Sequence, residues 1–125
     1  NQDFNSFKIY KSIELVYGIR NFIGNANKFA LKKIFITIKS NSETSEIIIE
    51  DDGPGFPKEI LAKIGEPYIK SITNTKTEKS GLGLGIFIGK TLLEKNYAKI
   101  NFTNSETRKG AEINIKWKNN DLKSI

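Results

Sequence analysis

Glu46-Ile47-Ile48-Ile49-Glu50-Asp51-Asp52-Gly53-Pro54-Gly55-Phe56 is the stretch from which the rest of the chain is read. Three consecutive isoleucines, followed closely by Gly and Pro, predict a strand over 46–50 and a sharp loop over 51–55. Asp51 therefore falls at a strand end. A carboxylate there can accept a hydrogen bond from an exocyclic amine, such as the 6-amino group of adenine. Gly53 and Gly55 allow backbone angles and close approaches that a side chain would block. Phe56 offers an apolar wall. Taken alone, the same letters also describe an ordinary acidic turn.

Toward the N-terminus, Ile34-Phe35-Ile36-Thr37-Ile38 is a second β-branched run, and residues 41–45 are a polar turn. The two runs predict a hairpin. Further upstream, Ser12 fits an N-cap, and Ile13, Val16, Ile19, Ile23, Ala26 and Ala30 recur at spacings of three and four, which predicts a long amphipathic helix. Residues 7–10 suggest a short strand before it. On the helix, Asn21, Asn25 and Lys28 stand at i, i+4 and i+7 and share one face. Two amides and an ammonium can hold a hydrated Mg²⁺ and a phosphate, because an Asn carbonyl is a hard oxygen ligand and Mg²⁺ keeps several of its waters. A solvated polar face is the other reading of the same residues.

Toward the C-terminus, Pro57 opens a short helix holding Ile60, Leu61 and Ile64. Residues 65–80 are polar, rich in Lys and Thr, and without period. A structureless stretch of that length is usually functional or mobile. Gly81-Leu82-Gly83-Leu84-Gly85 then leads into a helical segment over 86–95. Its glycines free backbone N–H groups to face an anion, and the helix N-terminus adds positive potential. A flexible hinge is the alternative. Residues 100–103 and 111–117 alternate and predict a closing hairpin with its tip at 104–110, and the residues after 117 read as a fraying end. Hairpins and helices in this order, without regular βαβ alternation, predict an α+β fold. The expected form is a two-layer α/β sandwich, a mixed, antiparallel-rich sheet with helices on one face.

The 125 residues fit one domain, 1–125, with 38% hydrophobic and 27% charged residues. No apolar run approaches the roughly 20 residues that a membrane helix needs. The chain has no Cys and no His, which removes disulfides, thiolate metal sites and any His acceptor or base. The net charge of +6 raises the question of nucleic acid. But 18 of the 20 basic residues are Lys, spread from Lys8 to Lys123, with only Lys32 and Lys33 adjacent. Arg, the usual reader of bases, appears only at Arg20 and Arg108. A solvated Lys-rich surface is the better reading, and no nucleic-acid partner is expected. A dinucleotide fingerprint fits poorly, since a long loop rather than a strand precedes Gly81. A P-loop is excluded by the missing Gly-Lys-Ser/Thr.

In this order and spacing the three motifs resemble the ATP-binding catalytic domain of bacterial sensor histidine kinases, in the superfamily shared with gyrase, Hsp90 and MutL (the Bergerat fold). The resemblance covers residues 9–118. Residues 21–29 look like the family's N box, 51–55 its G1 box and 81–85 its G2 box. Gly110-Ala111 stands where the family has a closing Gly-Thr or Gly-Ala, and Gly65-Glu66-Pro67-Tyr68 where many kinases carry an F box, in altered form. That form is similar to the redox-responsive global regulators of photosynthetic proteobacteria, as are Gly81-Leu82-Gly83-Leu84-Gly85-Ile86-Phe87-Ile88 and Lys90-Thr91-Leu92-Leu93-Glu94.

The resemblance implies ATP and Mg²⁺ as cofactors and a role for each matching residue. Asn25 would ligate Mg²⁺, and Lys28 would touch phosphate. Asp51 would bind the adenine amine, within a loop shaped by Gly53 and Gly55. Phe29, in place of the usual Tyr, would pack near the base with Phe56, and Ala111 would border it. Gly81, Leu82, Gly83, Leu84 and Gly85 would wrap the phosphates through backbone amides. Residues 65–80 would form the ATP lid, with Lys70 and Lys76 as phosphate contacts. Asn21 stands where ATP-hydrolysing relatives carry a Glu that activates water. An amide cannot act as a base, so the γ-phosphate would be kept for another acceptor. In the family that acceptor is a His on a separate helical dimerisation domain, and a response regulator follows. The chain alone, having no His, would bind Mg·ATP and phosphorylate nothing. As a fragment it is expected to be monomeric, and the full-length protein a homodimer. It would be a cytoplasmic domain of a protein whose sensor, upstream of Asn1, is compatible with an inner-membrane anchor. Two alternatives are an anti-sigma-type Ser/Thr kinase of the same superfamily and a non-enzymatic Lys-rich nucleic-acid-binding module. The second needs a basic stripe with exposed aromatics, whereas most of the eight Phe residues sit at apolar-periodic positions.

Overall fold

The computed structural model describes residues 8–9, 12–64 and 83–125, in which the β-branched runs build one four-stranded sheet. In chain order the elements are α1 (Ile13–Phe29), β1 (Ile34–Ser40), β2 (Thr44–Asp51), α2 (Lys58–Ile64), α3 (Gly83–Lys95), β3 (Lys99–Asn104), β4 (Ala111–Lys118) and α4 (Asn119–Lys123). The strands lie in the order β1-β2-β4-β3, and all three pairings are antiparallel. The first turn forms because the Asn41 side chain accepts from the N–H groups of Glu43 (2.8 Å) and Thr44 (2.9 Å).

Alternation decides which face is covered. Ala111, Ile113, Ile115 and Trp117 on β4 are all buried, while Glu112, Asn114, Lys116 and Lys118 point the other way. The register places Ile49 between Ile36 and Ile113, and Ile47 between Ile38 and Ile115. Helices α1, α2 and α3 pack on that apolar face, giving two layers. Phe22, wholly buried at its centre, contributes about 2–3 kcal/mol by leaving water.

α1 begins at the expected cap, with Ser12 Oγ accepting from the Leu15 N–H at 3.2 Å. Its buried stripe matches the expected one only in part: Ala26, Ile19 and Ile23 are on it, Ile13 and Val16 are not. Leu15, Gly18, Phe22 and Ala26 face the core, Ile19 and Ile23 flank them, and Ile13 is 80% exposed. The reason is the crossing with α3. A Cβ built at Gly18 would lie 2.8 Å from Leu93 Cγ, and one at Gly89 would lie 2.7 Å from Phe22 Cε1 and 3.0 Å from the Gly18 carbonyl. Two glycines therefore set the helix phase, which β-branched spacing does not reveal. Gly89→Ala is expected to destabilise the domain by about 1–3 kcal/mol, because overpacking a closed core forces shifts. Gly24→Ala, with nothing within 4 Å, should be neutral or stabilising by up to about 1 kcal/mol. Urea titration of both variants checks the pair; equal midpoints would refute the crossing.

The residues after 117 do not fray. Asn119–Lys123 form α4, with Asn119 and Leu122 buried. The Asn119 carboxamide accepts from Ser45 Oγ at 2.6 Å and donates to the Asn41 carbonyl at 2.8 Å, and its N–H donates to the Glu43 carbonyl. One polar side chain thus sews the C-terminal turn to the hairpin turn. Lys8 and Ile9 have no regular structure, and the rest of the strand expected over 7–10 lies outside the described residues, as do residues 65–80, where a lid is expected. No helix among the described residues is long and apolar enough to cross a membrane.

Candidate functional site

Asp51 is the last residue of β2, on the same side as Ile47 and Ile49, so it closes the apolar face at the sheet's end. It is 2% exposed. Its Oδ1 accepts from the N–H groups of Gly53 (2.9 Å) and Ala111 (3.2 Å). Oδ2 has no hydrogen-bond partner among the described residues, and no buried side-chain polar atom there is left unpaired, so Oδ2 is reached from outside. One carboxylate oxygen is fixed by backbone and the other is presented.

It is presented to a cleft of about 290 Å³. Asn25 and Phe29 come from α1, Asp51 from β2, Gly55 and Phe56 from the following loop, and Ala111 from β4. Pro54, from the Gly/Pro loop, and Pro57, expected to open the following helix, complete the wall. The lining is mainly apolar with a few convergent polar groups, the usual make-up of a small-molecule site.

Close backbone packing shapes the loop. A Cβ at Gly53 would lie 2.1 Å from the Phe29 carbonyl oxygen, and one at Gly110 would lie 2.2 Å from the Asp51 carbonyl oxygen. Gly55 has φ +84, a left-handed conformation that favours glycine. Asn104, at the end of β3, holds the other side of the loop. Its Oδ1 accepts from the Phe56 N–H at 2.7 Å and its Nδ2 donates to the Phe56 carbonyl at 3.1 Å. The Phe56 ring meets Phe102 edge-on at 6.2 Å, and Phe102 meets Phe22 at 5.7 Å, joining the cleft wall to the core. Nothing local in the sequence signals Asn104, since its partner lies 48 residues away.

Asp52 points elsewhere. Its carboxylate accepts from the N–H groups of Leu31 (2.8 Å), Lys32 (3.0 Å) and Lys33 (3.2 Å), in the connection after α1. These bonds, that of Lys32 foremost, hold its carboxyl below the ordinary Asp range against a smaller opposing effect of burial.

The remaining sequence candidates fall around or beyond the cleft. Asn21 does not line it; its amide donates to the Tyr17 carbonyl at 2.8 Å, and its Oδ1 would lie 3.4 Å from a Cβ at Gly85. The N-terminal turn of α3 therefore sits beside the polar face of α1. Lys28 is exposed, with Nζ 5.7 Å from the centroid of the Phe29 ring. Gly83 and Leu84 are the first residues of α3, so the helix starts earlier than the expected 86. Lys70, Lys76, Gly81 and Leu82 lie outside the described residues. Among the described residues, no group of three acidic, His or Cys residues could hold a metal ion.

Known proteins are similar to this chain in sequence and fold. Residues 10–121 match a family described as histidine kinase-, DNA gyrase B-, and HSP90-like ATPase. The chain is 35% identical over 102 residues to the sensor histidine kinase RegB of Cereibacter sphaeroides, covering 78% of this chain and 22% of that protein. It is 34% identical over 93 residues to a putative sensor histidine kinase, NtrY-like, of Rickettsia felis, covering 74% and 14%. It thus spans less than a quarter of the length of these curated relatives. The mycobacterial sensor histidine kinase MprB superposes with a TM-score of 0.66 at 20% identity, over 88% of this chain and 75% of that one, which shows a shared fold.

Proposed function

Because the chain belongs to the histidine kinase-, DNA gyrase B- and HSP90-like ATPase family, we propose that it is the Mg·ATP-holding catalytic domain of a sensor histidine kinase. It would donate the γ-phosphoryl group to a histidine on a separate dimerisation domain. The observation that carries this reading is the pairing of a presented strand-end carboxylate oxygen, Asp51 Oδ2, with a helix amide, Asn25, in one apolar cleft.

The chemistry follows from that pairing. Asp51 Oδ2 would accept a hydrogen bond from the adenine 6-amino group, while Oδ1 stays bound to two backbone N–H groups and cannot swing away. Phe29 and Phe56 supply the apolar walls for the ring. Asn25 offers a hard carbonyl oxygen of the kind Mg²⁺ takes, and Lys28, exposed on the same helix, can reach phosphate. Bound Mg²⁺ would neutralise charge building on the β- and γ-oxygens. Asn21 cannot take a proton from water, and its amide is already donated to its own helix, so hydrolysis has no base there. With no His in its 125 residues, the chain needs the acceptor from elsewhere. A response regulator would take the phosphoryl group next, and dimerisation would belong to the helical domain.

Calorimetric titration with ATP, with and without Mg²⁺, is the first test; saturable binding enhanced by Mg²⁺ is expected. The second uses γ-labelled ATP. Label should appear on a supplied dimerisation domain bearing its His and never on this chain alone. Label on this chain, or no nucleotide binding, would overturn the reading.

A further inference from the structure

Resting on the ATP-binding reading, we propose that Asp52 is a positioning residue that fixes the metal-and-phosphate end of the site relative to the base end. The two ends belong to different elements. Asn25 and Lys28, of the metal-and-phosphate end, ride on the last two turns of α1 with Phe29 of the base wall beside them, and Asp51 ends β2. Between α1 and β1, residues 30–33 are irregular. Three successive N–H groups of that connection, Leu31, Lys32 and Lys33, converge on Asp52, the neighbour of Asp51. Both carboxylate oxygens take part, Oδ2 accepting from Lys32 and Lys33 at 3.2 Å each. No other hydrogen bond from these three N–H groups occurs among the described residues outside strand pairing.

A generic loop staple would have the same bonds, so the placement has to decide. The sheet does not need Asp52, because Ile34 already pairs with Asp51 in the ladder. What the ladder leaves open is how the end of α1 sits over the strand end. Besides the packing of α1 on the sheet, two polar or backbone contacts bear on it among the described residues: the Gly53 backbone beneath the Phe29 carbonyl and the Asp52 carboxylate. Asp52 itself does not line the cleft. The N–H groups hold its carboxyl below the ordinary range, so the tether is intact at neutral pH. A ligand gripping both ends gains from their fixed separation, as any two-point ligand gains from a preset span. A ligand without phosphates meets α1 only through Phe29, whose carbonyl the Gly53 backbone also confines, and gains much less from it.

Adenosine and Mg·ATP therefore separate the roles. Asp52→Ala should weaken Mg·ATP by about tenfold while adenosine, followed by heteronuclear NMR, stays within about twofold. Asp52→Asn keeps the Oδ1 acceptor for all three N–H groups and should restore Mg·ATP to within about threefold. A parallel loss of adenosine and Mg·ATP, an unfolded alanine variant by circular dichroism, or an unchanged Mg·ATP affinity each overturns the inference alone. So does an asparagine variant as weak as the alanine one. Failure of the unaltered chain to bind Mg·ATP overturns the functional reading, and this inference with it.

Discussion

Asp51→Asn should cost the domain its adenine nucleotides and leave its fold in place. The two oxygens of this carboxylate have different work. Oδ1 is committed to the Gly53 and Ala111 N–H groups, and an asparagine carbonyl can replace it there without loss. That commitment then fixes which atom replaces Oδ2: an NH₂ group, aimed into the cleft. A donor would face the donor of the adenine 6-amino group. The lost bond to a carboxylate is worth about 1.5–3 kcal/mol, and the opposed donors add to it. Sites built around such a bond reject a mismatched partner strongly, so a weakening of at least about a hundredfold is expected. Stability should move by less than about 1 kcal/mol, because no cavity or orphaned backbone group is created. Asp51→Ala would confuse the two effects by stranding both N–H groups. An inosine nucleotide, with a 6-oxo acceptor, should lose much less than ATP. Competition titrations with ATP and ITP, alongside thermal denaturation, read all three expectations. ATP binding within threefold of the unaltered chain would place the base elsewhere.

What could be read from the sequence was local, and what could not was long-range. Ser12 caps α1 through a residue three positions on, and Asn41 turns the hairpin through residues two and three positions on. Asp51 and its glycines lie within one loop, so their spacing carries its own meaning. The core face of α1 is turned from the apolar spacing toward Leu15, Gly18 and Phe22 because Gly18 and Gly89 form its crossing with α3, and glycine is silent in an apolar pattern. Their contact joins segments that no spacing rule connects. Asn104 holds Phe56 across 48 residues and reads in sequence as one more polar strand-end residue. The short polar tail after 117 gave no helical period, yet buried Asn119 and Leu122 make it part of the fold. Asn21, Asn25 and Lys28 share one helix face, as their spacing predicts. A helix face is wider than a cleft, and only Asn25 of the three lines it.

Gly110→Ala is expected to damage fold and site together, which distinguishes it from Asp51→Asn. The space a methyl group would enter is already filled. A Cβ at position 110 would lie 2.2 Å from the Asp51 carbonyl oxygen, 2.2 Å from its Oδ1 and 2.6 Å from its carbonyl carbon. Two of these three atoms are backbone, and the third is held by the Ala111 N–H next to the substitution. No rotamer change relieves the contact, unlike at Gly89, where the nearest atom belongs to a ring. Position 110 cannot retreat freely either, since its carbonyl accepts from the Ser105 N–H at 2.7 Å across the hairpin tip. The start of β4 must therefore part from the end of β2. That breaks the Ala111 bond to Asp51 and lets the carboxylate turn. A loss of about 3 kcal/mol or more is expected, in the range reserved for core overpacking and broken buried bonds. For a chain of this length it should lower the Tm by roughly 10 °C. The fraction that stays folded should bind Mg·ATP at least about tenfold more weakly, because the acceptor is no longer held in place. Differential scanning fluorimetry gives the first number and calorimetry below the transition gives the second. A Tm within two degrees of the unaltered chain would mean that β4 and β2 are not in contact at this end. The fixed half of the Asp51 carboxylate would then lose its physical basis.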